Sequence, residues 1–289
     1  MLTCEKRAAP GNSPLGHLTS HNHPNFVKSI PRLIFLAVGA VWLNGCAVYV
    51  PTVPATPLLE KGQVEVTAGL RSFRSGELGA AWSPVPHLLV TGEVAGDLGR
   101  TSTTVTTPQG PVTYLDTHRQ GSFGLGYYRA PAGAAGSYVA LLGGVGVGRT
   151  VFFALDDYEA TSPYLPFPLP TRSGVYDARY RRYYGQVYYA RPAFIGDLKG
   201  GFSLRTVWLD YIRLTYDNQP VAPSNRVFLE PTVFVRSDHG PLRYYATAGL
   251  SAPLSSDRNN PANGRTATWS LLVSGGIILR PDLLRKHRE

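Results

Sequence analysis

Thiols are nearly absent from this chain. Of its 289 residues only Cys4 and Cys46 are cysteines, too few for a disulfide framework or a zinc-binding quartet. Long apolar runs are missing as well. The most continuous, Leu33-Ile34-Phe35-Leu36-Ala37-Val38-Gly39-Ala40-Val41-Trp42-Leu43, is too short for a membrane helix, which needs about 20 residues. Charge is sparse: 16% of residues are charged, against about 25% in ordinary soluble domains. Acids are the scarcer sign, 19 against 28 Lys and Arg, yet no basic block is long enough to form a nucleic-acid stripe, so nucleic acid is not an expected partner. Helical periodicity is missing from Gln63 onward.

The apolar run has the length of a signal-peptide core, and Lys28 and Arg32 precede it. It exits into Leu43-Asn44-Gly45-Cys46. This resembles the lipobox of bacterial lipoproteins, in which cleavage between Gly45 and Cys46 makes the cysteine the acylated (palmitate-type) first residue. Residues 1–45 are then an N-terminal extension plus signal peptide, with Cys46 the lipid-attachment residue. His17, His21 and His23 fall in the discarded leader. What remains has 24 basic and 18 acidic residues, an excess suited to anionic headgroups. Two acyl chains would anchor it stably where one is marginal.

Residues 46–62 read as a tether, because Pro51, Pro54 and Pro57 prevent regular strand pairing. Beyond it, alternation with a period of two takes over. Val64, Val66, Ala68 and Leu70 fall on one face, with Glu65 and Thr67 on the other. Phe123, Leu125 and Tyr127 oppose Ser122, Gly124 and Gly126; Val139, Leu141, Val145 and Val147 oppose Ala140, Gly144, Gly146 and Gly148. Leu271, Val273, Ile277 and Leu279 oppose Ser270, Ser274 and Gly276. Ten such segments fit within residues 63–280, followed by a basic tail, 281–289. Pro192 and Pro231 predict bulges or unpaired donors. The directions of residues 184–189 and 206–209 stay open.

The links alternate. Those at 83–87, 129–137, 196–201 and 237–241 are short; those at 98–118, 151–178, 215–225 and 253–265 are long and polar or proline-rich. Only the link around residues 73–75 breaks the pattern. Short turns at one end and long loops at the other are the habit of bacterial membrane barrels. If the lipidated end starts in the periplasm, β-strand one runs outward and the short turns are periplasmic. The expected fold is therefore all-β: a single antiparallel up-and-down transmembrane β-barrel of about ten strands, preceded by a lipoprotein signal peptide. Apolar side chains should face lipid, and small or polar ones the lumen.

Cys46-Ala47-Val48-Tyr49-Val50-Pro51, then Pro57-Leu58-Leu59-Glu60-Lys61-Gly62 and an alternating strand, resemble the start of a family of lipoprotein-type outer-membrane β-barrel proteins of Gram-negative bacteria. Its members are mostly uncharacterised, so the resemblance implies location and fold, not activity. Ala47, rather than the Asp that retains lipoproteins at the inner membrane, fits export to the outer one.

No catalytic, cofactor or metal set stands out. His118 with Asp116 and Ser122 is the nearest approach to a hydrolytic trio, but a solvated loop end explains His118 better. Gly144-Val145-Gly146-Val147-Gly148 opens no helix, so close packing in a strand is preferred to phosphate binding. Asp156-Asp157-Tyr158-Glu159 has oxygen ligands for a divalent cation, yet suits a soluble loop. Tyr180, Arg181, Arg182, Tyr183, Tyr184, Tyr188 and Tyr189 read as a headgroup-level aromatic and basic band, with nucleic-acid or glycan stacking as the alternative. The expected role is a non-enzymatic, lipid-anchored outer-membrane barrel that displays loops or acts as a small scaffold. Its expected partners are membrane lipid and the barrel-assembly and lipoprotein-export machinery. A periplasmic lipoprotein carrying a small apolar ligand in a soluble barrel is the alternative; an outer-membrane hydrolase or acyltransferase is the weaker one.

Overall fold

In the computed structural model the described residues are 48–71, 75–99, 101–107, 110–130, 136–159, 169–195, 198–222, 226–237, 239–254 and 269–286. Alternating residues there build β1 (Val64–Arg71), β2 (Ser75–Trp82), β3 (Leu88–Asp97), β4 (Thr101–Thr107), β5 (Gly110–Arg129), β6 (Tyr138–Glu159), β7 (Leu169–Ile195), β8 (Leu198–Tyr216), β9 (Gln219–Pro220), β10 (Arg226–Ser237), β11 (Leu242–Pro253) and β12 (Ser270–Leu279). Ten of these close into an antiparallel barrel in the order β1, β2, β3, β5, β6, β7, β8, β10, β11, β12. Closure is made by β12 on β1, with Ala68 opposite Ile277. β4 pairs only with β5, and the two-residue β9 only with β8. The ten-strand antiparallel barrel expected from alternation is the fold.

Two of the expected long loops are instead mostly strand. Residues 98–118 hold the β4–β5 hairpin, and 151–178 hold the upper ends of β6 and β7, paired as far as Glu159 opposite Leu169. Threonine, valine and aromatic side chains favour extended backbone. Strict alternation fades there because no single face has to be apolar. The turn after β8 is a two-residue hairpin in which Asp217 and Asn218 both have positive φ, 48° and 64°, as a type I′ turn requires. The link after β1 is short, residues 72–74.

The prolines behave differently from each other. Near Pro192 the β7–β8 register shifts between Arg191 and Ile195. At Pro231 the register with β8 is unbroken, but pairing with β11 skips residues 230 and 231, as a missing donor dictates. Residues 281–286 of the basic tail form a short helix, α1 (Pro281–Lys286).

Polarity is inverted relative to a water-soluble barrel. Leu141 is 63% exposed, Val233 60%, Val145 53% and Phe123 51%, whereas Arg182, Arg205 and Arg226 are among the largest fully buried side chains. Glu65 is buried and Val66 beside it exposed. Residues 184–189 and 206–209 take definite directions: Tyr184, Gln186, Tyr188, Val207 and Leu209 point in, Val187 and Trp208 out.

Candidate functional site: the occupied lumen

Residues 48–62 do not hang outside the barrel as a tether. They run through its centre without strand structure, and Val48, Tyr49 and Leu59 are almost wholly buried. The prolines at 51, 54 and 57 have no N–H to satisfy, and the remaining backbone groups must find partners in an enclosed space. Lumenal side chains supply them. The Val53 amide donates to Glu77 Oε1 at 3.2 Å and the Ala55 amide to Glu93 Oε1 at 3.1 Å. Carbonyls accept from Gln120 (Val50 O, 3.0 Å), Gln186 (Ala55 O, 2.8 Å), Arg236 (Thr56 O, 2.8 Å), Tyr188 (Pro57 O, 2.5 Å) and Tyr138 (Leu59 O, 3.3 Å).

The path has a direction. Val48 and Tyr49 pack with Phe152, Tyr176, Tyr180, Tyr211 and Phe228 at the end carrying the long β6–β7 hairpin. Leu59 packs with Tyr128, Tyr138, Tyr188 and Phe234 at the short-turn end. There the Gly62 amide donates to Ser83 O at 2.7 Å before β1 begins. The chain therefore crosses the lumen once before its first strand. The sequence argument that placed the N-terminal end and the short turns on one side loses its premise, because it counted no such crossing.

Around this segment lies a charge network. Arg182 donates to Glu93 Oε2 at 3.0 Å, Ser122 Oγ at 2.8 Å and Thr52 Oγ1 at 2.8 Å. Arg205 donates from Nε to Glu230 Oε2 at 2.6 Å and from Nη2 to Thr52 O. Glu230 Oε1 also accepts from Tyr49 and Ser251 hydroxyls, both at 3.1 Å. Arg236 pairs with Glu65 at 2.7 Å. Three arginines thus balance three glutamates, which enclosed charges require. The Arg182 and Arg205 guanidinium centres also lie 5.4 and 5.8 Å from the Tyr184 ring centroid, within cation–π range.

A cleft opens between residues 52–57 and the wall formed by β1, β2, β3, β10, β11 and β12; Glu65, Glu77, Glu93, Arg236 and Tyr245 line it.

The residues singled out from sequence are scattered. Asp116 Oδ1 accepts the Phe153 amide at 2.9 Å, His118 Nδ1 lies 3.1 Å from Thr150 Oγ1, and Ser122 is held by Arg182 and Glu93. His118 and Ser122 are four residues apart on one strand, about 13 Å, so no nucleophile–base contact forms. His118 is also a buried lumenal side chain and not a solvated loop end. Gly144 and Gly148 face the rings of Tyr184 and Tyr180, where an added Cβ would lie 2.4 Å from ring carbon; the glycine run is packing.

The aromatic and basic series on β7 divides. Arg181 and Tyr183 face out, while Tyr180, Arg182, Tyr184 and Tyr188 line the lumen, so only part of it can form an outer band. Asp156, Asp157, Tyr158 and Glu159 are in the β6 strand, not a loop. Among the described residues, no three His, Cys, Asp or Glu side chains are grouped to hold a metal ion. Cys4, Gly45 and Cys46 lie outside the described residues. Of the lumenal charges, Arg182 reads from the sequence as part of the outer band, and Arg205, Glu230 and Arg236 are not singled out. Parity alone does not mark them, because Val207 and Leu209 share the face of Arg205, and Phe228 and Phe234 that of Glu230 and Arg236. No protein-family model matches the chain, and no curated protein matches it.

Proposed function

We propose that this chain is a lipid-anchored β-barrel that spans the outer membrane of a Gram-negative cell, closed by its own N-terminal segment and without enzymatic activity. One observation carries the reading: leucine, valine and phenylalanine cover the outside while arginine and glutamate fill the inside. In water that arrangement would expose an apolar belt far larger than monomers tolerate; in lipid it is the required one. On β6 the exposed apolar side chains run from residue 139 to 147. That is about 22 Å of height at a typical strand tilt, close to the apolar band of about 25 Å of such barrels. Closure leaves no strand edge unpaired in hydrocarbon.

The filled lumen argues against both a wide pore and a soluble carrier of apolar ligands. What the molecule offers its surroundings is the protruding β4–β5 and β6–β7 hairpins, so display or scaffolding follows, with Cys46 acylated through the lipoprotein-export route and the barrel inserted by assembly machinery.

The test is reconstitution of the full chain into lipid vesicles, with gel migration before and after heating, alongside radioactive fatty-acid labelling in cells. Heat-modifiable migration and label that vanishes in Cys46→Ala are expected. A chain that stays monomeric in water without detergent would overturn the spanning reading, and label surviving the substitution would overturn the anchor.

A further inference from the structure

Four arginines stand side by side across four strands. In the ladder Arg119 of β5 is opposite Arg149 of β6, Arg149 opposite Arg179 of β7, and Arg179 opposite Arg213 of β8. Arg119, Arg179 and Arg213 are exposed and Arg149 half-exposed. All four lie on the outer face, on the side of the apolar side chains and away from lumenal His118, Thr150, Tyr180 and Leu214. With strands about 4.8 Å apart the row spans about 14 Å.

Like charges on directly opposed positions repel, and little in the protein offsets these. Among the side chains described, the outward carboxylates nearby are Asp177, 3.0 Å from Arg149, and Asp210, 3.9 Å from a fifth outward arginine, Arg181. Five cations thus face two anions. The row's height is equally telling. Exposed Val147 is one outward step below Arg149, about 7 Å, and Ile212, Val145 and Phe123 continue the apolar surface beneath. Tyr183 and Trp208, with ring centroids 5.8 Å apart, pair at the level of Val145, two outward steps below the row, and belong to that apolar surface.

We infer that this row is a binding site for phosphate-bearing lipid headgroups of net negative charge in the leaflet at the long-hairpin end of the barrel. Guanidinium groups hold phosphate oxygens through paired, charge-assisted hydrogen bonds, more specifically than a point charge can. A headgroup seated on the apolar rim brings its anion to the row while its acyl chains cover Val147 and Ile212. The inference rests on the membrane-spanning reading above.

The experiment uses the full chain in detergent micelles and in bilayers, with phosphatidylglycerol and phosphatidylcholine as probes and native mass spectrometry of retained lipid as the readout. The chain should retain phosphatidylglycerol preferentially. Replacing Arg119, Arg179 and Arg213 together by Gln should cut that preference at least tenfold, since each surface arginine near anionic lipid contributes about fivefold. The same positions changed to Lys should keep part of it. Arg129→Gln with Arg191→Gln, at the opposite rim, should leave it intact, and heat-modifiable migration certifies folding of each variant. Equal preference in the triple-Gln chain, or displacement of lipid by inorganic phosphate alone, would overturn the inference while the barrel still inserts. Failure to enter bilayers would remove both it and the reading beneath it.

Discussion

Arg205 Nε and Glu230 Oε2 meet at 2.6 Å with both side chains wholly enclosed. The pair joins neighbouring strands, since Glu230 of β10 is opposite Arg205 of β8, and Arg205 also holds the lumenal segment through Thr52 O. Removing one partner would leave the other charge buried without its counterion, a change that costs about 3–5 kcal/mol in comparable pairs. Glu230→Gln should therefore lower unfolding stability by about that amount in urea titrations of the reconstituted barrel. Changing both Arg205 and Glu230 to Leu should cost less than the two single changes added together, because neither charge is stranded. An additive double variant would show the pair to be uncoupled.

The outer face makes a prediction that water and lipid answer differently. Leu141 is 63% exposed, with Tyr127 and Val187 as its ladder partners. Leu141→Arg should destabilise the vesicle-inserted protein by about 2–4 kcal/mol, the usual cost of a lipid-facing cation near the midplane. A solvated surface site would change by less than about 0.5 kcal/mol. Unfolding midpoints of the two chains in the same vesicles decide it.

Two glycines separate packing inside from space outside. A Cβ on Gly148 would lie 2.4 Å from the Tyr180 ring, whereas one on Gly185 would meet nothing within 4 Å. Tyr180 is fully buried and cannot swing away. Gly148→Val should cost about 1–3 kcal/mol by overpacking, while Gly185→Val should be neutral or slightly stabilising, because glycine weakens a strand interior. Equilibrium unfolding measures both, and equal effects would mean the inner face is not close-packed.

Much of this architecture is legible in the sequence because lipid-like alternation is a strict code. Val66, Leu141 and Leu271 mark one face and Glu65, Gly144 and Ser274 the other, and ten such segments give ten strands. The code falls silent where its cause ends. Above the apolar band nothing obliges one face to be greasy, so the β4–β5 hairpin and the upper β6–β7 ladder read as loops. Residues 48–62 have no alternation at all, and three prolines make a lumenal segment look the same as a flexible linker. Its partners come from seven strands far apart in sequence, from Glu77 to Arg236, and only closure of the barrel brings them together. Arg182 and Arg205 gave no clear hint of a polar centre, because Tyr180, Tyr184, Val207 and Leu209 share their faces and alternation there does not separate inside from outside.

Outside the barrel wall, Asp282 supplies a pH handle. Partial burial pushes its pKa up, but the side-chain hydrogen bonds and charge of Arg280, with the backbone amides of Asp282 and Val64, outweigh this and hold the carboxyl below the ordinary aspartate value. The Arg280 contacts are 3.0 and 2.8 Å long. A lowered folded pKa means that stabilisation is complete above the unfolded value, about 3.9, and is lost as pH falls through the folded one. Amide protection of Leu283 and Leu284, corrected for intrinsic exchange, should fall in that acid range. Asp282→Asn should have lower protection near neutrality and lack the acid step. A step that persists in Asp282→Asn would assign it to another group.

The lumenal crossing also turns orientation into a sharp experiment. Val48 lies at the long-hairpin end and Gly62 at the short-turn end. Membrane barrels put long extensions outside, and under the proposed reading this places the long-hairpin end, with Val48, outside. Asn218→Cys, in the exposed β8–β9 turn, should then react with a membrane-impermeant maleimide on intact cells. His239→Cys, exposed in the β10–β11 turn, should react only after the outer membrane is permeabilised. The reverse pattern would set the short turns outside and Val48 at the periplasmic end, so that the long hairpins do not dictate which way the barrel is inserted.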